Sequence, residues 1–290
     1  MDTRYYKELN TIHNCIFGCY MTRERIDHYT RILKFQPYSA TTVKKIAKHW
    51  KPMYVKQTYT YDLVVSRYNE DIHWVNTIDH TIHVIIYNKG ENDISYVNNN
   101  IEVITLPNIG RESHTMATHC STRYEQLADY TIFCQGDTLT HSPYFFELLE
   151  NKQNFNIDYT SLSLKYLETI PPPHMIVNKR THLEEFNCFT LNSVQWHDKG
   201  TVFVGEEYLQ FYELPHGTNI LRDYFTRIGL DNRIDQNQSK ASFSYGAIFA
   251  VNKDRITQHS PQIYDNIANI SQKHWSIGFV IEKSWYCLFI

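Results

Sequence analysis

Asp129-Tyr-Thr-Ile-Phe-Cys-Gln-Gly-Asp137 reads as a short apolar strand that stops abruptly in a polar turn carrying a glycine and a carboxylate. In an open α/β sheet, ligands bind in the crevice beyond the carboxyl ends of the strands, so Asp137 is expected at the mouth of a site. A carboxylate there suits a hard divalent cation, and such a cation usually accompanies a phosphorylated ligand.

Three stretches upstream have the same form. Tyr61-Asp-Leu-Val-Val-Ser66 is a β-branched run that ends in the polar burst Arg67-Tyr-Asn-Glu-Asp71. Helical spacing follows over 71–78. Thr81-Ile-His-Val-Ile-Ile-Tyr87 ends in Asn88-Lys-Gly90, and Glu102-Val-Ile-Thr-Leu106 ends in Pro107-Asn-Ile-Gly-Arg-Glu112. A helix is expected over 111–126. Strands alternating with helices predict a mixed, mainly parallel α/β sheet flanked by helices, with polar residues at every carboxyl end.

The flanks are less regular. Helical spacing at 22–33 and 41–50 predicts a small N-terminal helical extension over 1–60, leaving 61–290 as the main domain. Downstream, Ser142-Pro143 opens a helix, Pro171-Pro-Pro173 is stiff and extended, and Thr201-Val-Phe-Val204 is strand-like. A helix is expected over 218–228 and a clean apolar strand over Ser244–Val251. The final segment is apolar except for Glu282, Lys283 and Ser284.

Composition narrows the class. A 42% hydrophobic fraction with 20% charged residues is ordinary for a globular chain of 290 residues. A net charge of −3 leaves no global basic field for nucleic acid. No window approaches a membrane span, and the N-terminal residues lack the apolar run of a signal peptide. The six cysteines form no CxxC pair, which suits reduced, buried thiols and a cytoplasmic setting. The 22 tyrosines suit both sugar or base stacking and ordinary cores.

Four clusters carry chemical character. Tyr68 can stack on a nucleobase while Asn69 and Asp71 hydrogen-bond its edge or ribose, although Asn69 or Asp71 would equally cap the next helix. In Asn108-Ile-Gly-Arg-Glu-Ser-His114, Arg111 at a helix start can pair with a diphosphate, or can simply be a first-turn surface residue. Gln135, Gly136 and Asp137 form the cation turn, with His141 as a second metal ligand or a contact to sugar hydroxyls. Glu282, a lone carboxylate in an apolar run, is the candidate general base, unless pairing with Lys283 makes it structural. Glu206 and Glu207 stand in reserve for that role.

Taken in order, Asp-Leu-Val-Val-Ser-Arg-Tyr-Asn-Glu-Asp, Ile-Ile-Tyr-Asn-Lys-Gly, Leu-Pro-Asn-Ile-Gly-Arg-Glu-Ser-His, Phe-Cys-Gln-Gly-Asp and Tyr-Gly-Ala-Ile-Phe-Ala-Val resemble a family of fungi, bacteria and large algal viruses. That family is similar to GT-A-fold glycosyltransferases, including chlorovirus enzymes that decorate the capsid protein. The resemblance spans residues 61–290. It implies a GT-A-like (Rossmann-like) fold, a nucleotide-diphosphate sugar donor (a UDP-sugar, with UDP-xylose among the options) and Mn²⁺ or Mg²⁺; with Glu282 as the base the transfer would be inverting. The acceptor it implies is a glycan or a glycoprotein, a viral capsid glycoprotein included. GT-A enzymes carry Asp-x-Asp where this chain has Gln135-Gly136-Asp137, so one acidic ligand is missing. The ending Glu282-Lys-Ser-Trp285 fits the family's acidic-basic-x-Trp pattern. Two alternatives stay open: a metal-assisted phosphohydrolase using Asp137, His141 and Asp71, and a non-catalytic carbohydrate-binding module.

Overall fold

The computed structural model describes residues 60–155, 158–163, 183–193 and 199–290. The expected helical extension and the Pro171–Pro173 segment lie outside these residues.

A six-stranded sheet forms the centre, in the order β3-β2-β1-β4-β8-β5. Its strands are β1 (Tyr61–Arg67), β2 (Ile82–Asn88), β3 (Glu102–Thr105), β4 (Tyr130–Gln135), β5 (Tyr159–Ser161) and β8 (Phe249–Asn252). β1 to β4 run parallel, while β8 pairs antiparallel with both β4 and β5. A separate antiparallel hairpin joins β6 (Glu184–Asn187) to β7 (Lys240–Phe243).

The apolar run of β1 is buried along its whole length, as a parallel strand covered on both faces must be. Its side chains alternate between two cores. Val64, Ile85, Tyr87 and Phe133 face α1 (Arg111–Thr122), α6 (Pro261–Ser271) and α7 (Trp275–Phe289). Leu63, Val65, Val84, Ile86 and Ile132 face Val75 and the short helix α2 (Phe145–Glu150). Helices therefore flank the sheet on both sides, the layering expected from the alternation of strands and helices.

β2 and β3 lie to one side of β1 and β4 to the other, so the sheet has its topological switch point between β1 and β4. That is where ligand crevices form in open α/β sheets. The Gln-Gly-Asp turn leaves β4 there, beside the 68–71 turn that leaves β1.

Three local expectations need correction. Thr201-Val-Phe-Val204 lies within helix α3 (Lys199–Phe211), not a strand. Burial of Val204, Tyr208 and Leu209 at helical spacing overrides the β-branched preference of the run. The strand expected over Ser244–Val251 begins only at Phe249, because Gly246 at φ +66° turns the chain first. The helical spacing at 71–78 yields only a 3₁₀ turn, His73–Thr77. Helix α4 (Ile220–Arg227) falls inside the expected 218–228. Helix α5 (Lys253–Thr257) follows β8 directly.

Candidate functional site

The register of β4 against β8 builds the site. Phe133 pairs with Phe249, so the residues just before β8 arrive beside the carboxyl end of β4. Gly246 lies there, and two distant side chains grip its peptide. The Gln135 side-chain amide donates to the Gly246 carbonyl at 2.8 Å, and the Gly246 N–H donates to Glu282 Oε1 at 2.8 Å. The His141 ring packs on the same glycine, where an added methyl would stand 3.0 Å from the ring, and meets Tyr245 edge-on at 5.0 Å. Three predicted site residues thus converge on one turn.

Glu282 is mostly buried. Loss of water is the main cause that pushes its carboxyl up to about 7; the nearby Glu112 carboxylate adds to this, while Lys283, Arg111 and the Gly246 N–H pull the other way. A carboxyl that titrates near neutrality can take a proton from a hydroxyl and release it again.

Arg111 reaches the same helix. It opens α1 with φ +53°, directly after Gly110 at φ +60°. The Lys89 ammonium donates to the carbonyls of Ile109 and Arg111 on either side of this left-handed pair. Lys89 is buried, and that burial brings its pKa down to about 8 against the pull of Glu112. The Arg111 guanidinium lies 4.4 Å over the Phe279 ring, and its stem crosses Gly278, where a methyl would stand 3.0 Å from Cδ. Ser113 Oγ also donates to the Gly278 carbonyl. The Arg111 side chain is half-exposed, and its Nε stands 3.6 Å from Glu112 Oε2.

The turn after β1 meets the Gln-Gly-Asp turn through Glu70. A methyl on Gly136 would stand 2.9 Å from both Glu70 Cβ and Oε2. The Gly136 N–H donates to the Ser66 carbonyl, and the Gly136 carbonyl accepts from the Trp74 indole at 3.1 Å. Glu70 Oε2 in turn accepts from the Tyr68 N–H at 2.6 Å, which leaves the Tyr68 ring half-exposed. Asn69 Oδ1 accepts from the Glu91 N–H, and Asp71 Oδ1 bonds the N–H and the ring of His73, the first residue of the 3₁₀ turn. The His73 N–H, then its ring, hold the Asp71 carboxyl below the usual range.

Asp137 is exposed. Thr140 Oγ1 donates to its Oδ2 at 2.5 Å within the turn that also contains His141. Among the described residues, no three His, Cys, Asp or Glu side chains come together as metal ligands. A cation shared with phosphate oxygens would need only one or two protein carboxylates, where a cage made wholly by protein would need more. The reserve bases lie elsewhere on α3: Glu206 is exposed, and Glu207 Oε2 stands 3.9 Å from His274 Nε2.

Glu70, Lys89, Glu112 and Gly246 were not singled out from the sequence. Glu70 and Glu112 sit inside clusters that were, and only their burial and neighbours distinguish them. Gly246 follows a Ser-Tyr pair in a run that otherwise reads as continuous strand.

The fold and these contacts define an α/β protein with a Rossmann-like sheet whose polar turns gather at the sheet's switch point. The chain belongs to the family described as protein of unknown function DUF3431, whose model matches residues 63–290. No curated protein matches the chain. No helix among the described residues is long and apolar enough to cross a membrane.

Proposed function

We propose that the protein is a GT-A-type glycosyltransferase that moves a sugar from a nucleotide-diphosphate donor, a UDP-sugar, to a hydroxyl of a saccharide or glycoprotein. The observation that carries this reading is the Gly246 turn, which ties the cation turn (Gln135, His141) to the candidate base (Glu282) across a single peptide.

Tyr68 offers a half-exposed ring to the nucleobase, with Asn69 and Asp71 on the same turn. Asp137 would hold a divalent cation against the diphosphate; bound there, the cation neutralises charge on the departing phosphate. Arg111 faces the phosphates from the α1 side. Glu282 takes the proton from the acceptor hydroxyl as its oxygen bonds to the anomeric carbon. The bond from that carbon to the diphosphate breaks, and the nucleoside diphosphate leaves. Attack opposite the leaving group inverts the anomeric centre.

Thermal unfolding with nucleoside diphosphates, with and without Mn²⁺, tests the reading. UDP is expected to raise Tm, and to raise it further with Mn²⁺. Asp137→Asn is expected to abolish the metal-dependent part alone. A wild-type protein whose Tm no nucleoside diphosphate moves would overturn the proposal.

A further inference from the structure

α7 carries more than Glu282. Trp275, Phe279 and Glu282 stand at i, i+4 and i+7, on one stripe of the helix. The Trp275 ring is half in solvent and meets Phe279 edge-to-face at 5.9 Å. Phe279 in turn lies under the Arg111 guanidinium, so the stripe runs from Trp275 to the residues around Glu282.

Helix α3 extends this surface. Phe203, Glu207 and Phe211 recur every four residues, and both phenylalanine rings are exposed. Phe211 stacks on His274 at 4.7 Å and 17°, and Glu207 reaches the same imidazole. Eight large hydrophobic side chains are exposed among the described residues. Three of them, Phe203, Phe211 and Trp275, belong to this one surface, and Tyr68, Ile109 and Leu139 lie on turns at the sheet's carboxyl edge. Scattered singly they would need no explanation; gathered beside the helix that carries Glu282 they mark a binding surface.

We infer that this band is the subsite for the acceptor, and that the acceptor is a saccharide chain of at least two sugars. Exposed aromatic rings beside a carboxylate and an imidazole match a sugar, whose C–H face stacks while its hydroxyls hydrogen-bond. A purely apolar partner would strip water from the half-exposed Glu207 carboxylate, which His274 meets only at 3.9 Å. Seven residues of helix place Trp275 roughly 10 Å along the axis from Glu282. A single sugar ring does not bridge that interval, whereas a disaccharide with its terminal hydroxyl at Glu282 does.

This inference rests on the transferase reading, and saturation-transfer NMR separates the two. The probes are mono-, di- and trisaccharides of xylose, glucose, galactose and rhamnose, each titrated in the presence of UDP. For at least one sugar, the wild type is expected to bind the di- or trisaccharide at least tenfold more tightly than the monosaccharide. Trp275→Ala should erase that preference, and Trp275→Phe should keep most of it. Both variants should retain the UDP-dependent rise in Tm, which also shows that they fold.

If no oligosaccharide outbinds its monosaccharide, or if Trp275→Ala binds as wild type does, the subsite is wrong. A wild type that dimerises in solution, with Trp275→Ala monomeric, overturns it too, because the band would then be a self-association face. Loss of the UDP effect in the wild type itself indicts the transferase reading instead.

Discussion

Two turns leave adjacent parallel strands at the switch point, and they are built in opposite ways. The turn after β1 is saturated from within. Its buried Arg67 donates to the Glu70 and Glu91 carbonyls, to Asn88 Oδ1 and to Asp93 Oδ1 at 2.7–3.1 Å. The turn after β4 holds its glycine firmly but leaves the Asp137 carboxylate in water, bonded by Thr140 of its own turn. Both look alike as polar bursts in the sequence. A side chain whose hydrogen-bonding capacity is filled by protein shapes a site; one with capacity left over can bind something.

That contrast is sharpest at Glu282, where the largest effect is expected. Glu282→Gln is nearly isosteric and keeps an oxygen for the Gly246 N–H, so the turn should survive. Turnover should fall by roughly 10²–10⁴-fold if the carboxylate is the base. The wild-type rate should rise with pH through about 7 as Glu282 ionises. Stability should run the other way. The folded carboxyl binds its proton more tightly than the unfolded one, so the contribution is complete below the unfolded value and is lost as pH rises through about 7. Paired pH profiles of rate and Tm check this. A variant that loses stability at neutral pH but keeps its rate would place Glu282 with Arg67, among the residues that only shape the site.

Arg67→Met probes the saturated turn. It removes the donor to the Glu70 carbonyl and one of two donors each to the Glu91 carbonyl and Asn88 Oδ1, and should cost roughly 1–3 kcal/mol of stability. Asp137→Asn should lie within about 0.5 kcal/mol of wild type yet lose its metal response. Urea unfolding of the two variants side by side measures the difference. Equal destabilisation would erase the contrast between the turns.

How much of this could be read beforehand depends on range. β1 and β4 were legible because a fully buried parallel strand shows itself as an unbroken apolar run. The carboxyl-edge location of Asp137 followed from the same local pattern. The partners of Arg67 lie up to 26 residues away, and the Gly246–Glu282 contact spans 36. No local pattern encodes either. Thr201–Val204 misled because β-branched residues favour strands on their own, while the helix there is decided by what Val204 and Tyr208 pack against. Glu282 stood out as a charge in an apolar run; that it would meet the Gln135–Asp137 turn through the backbone of a glycine required the register of β8.

The smallest effect tests whether the saturated turn still presents one group to a ligand. Glu70 holds the Tyr68 backbone, not its ring, so the ring can change without disturbing Arg67 or Gly136. Tyr68→Ala should therefore leave Tm close to wild type and weaken UDP binding by about 1–3 kcal/mol, the usual worth of an aromatic platform under a base. Tyr68→Phe keeps the platform and should lose less, because only the phenol hydroxyl is removed. Calorimetric titration with UDP distinguishes the three proteins. If alanine binds UDP as tyrosine does, the nucleoside does not lie on this turn, and the turn after β1 serves only to prop Gly136 through Glu70.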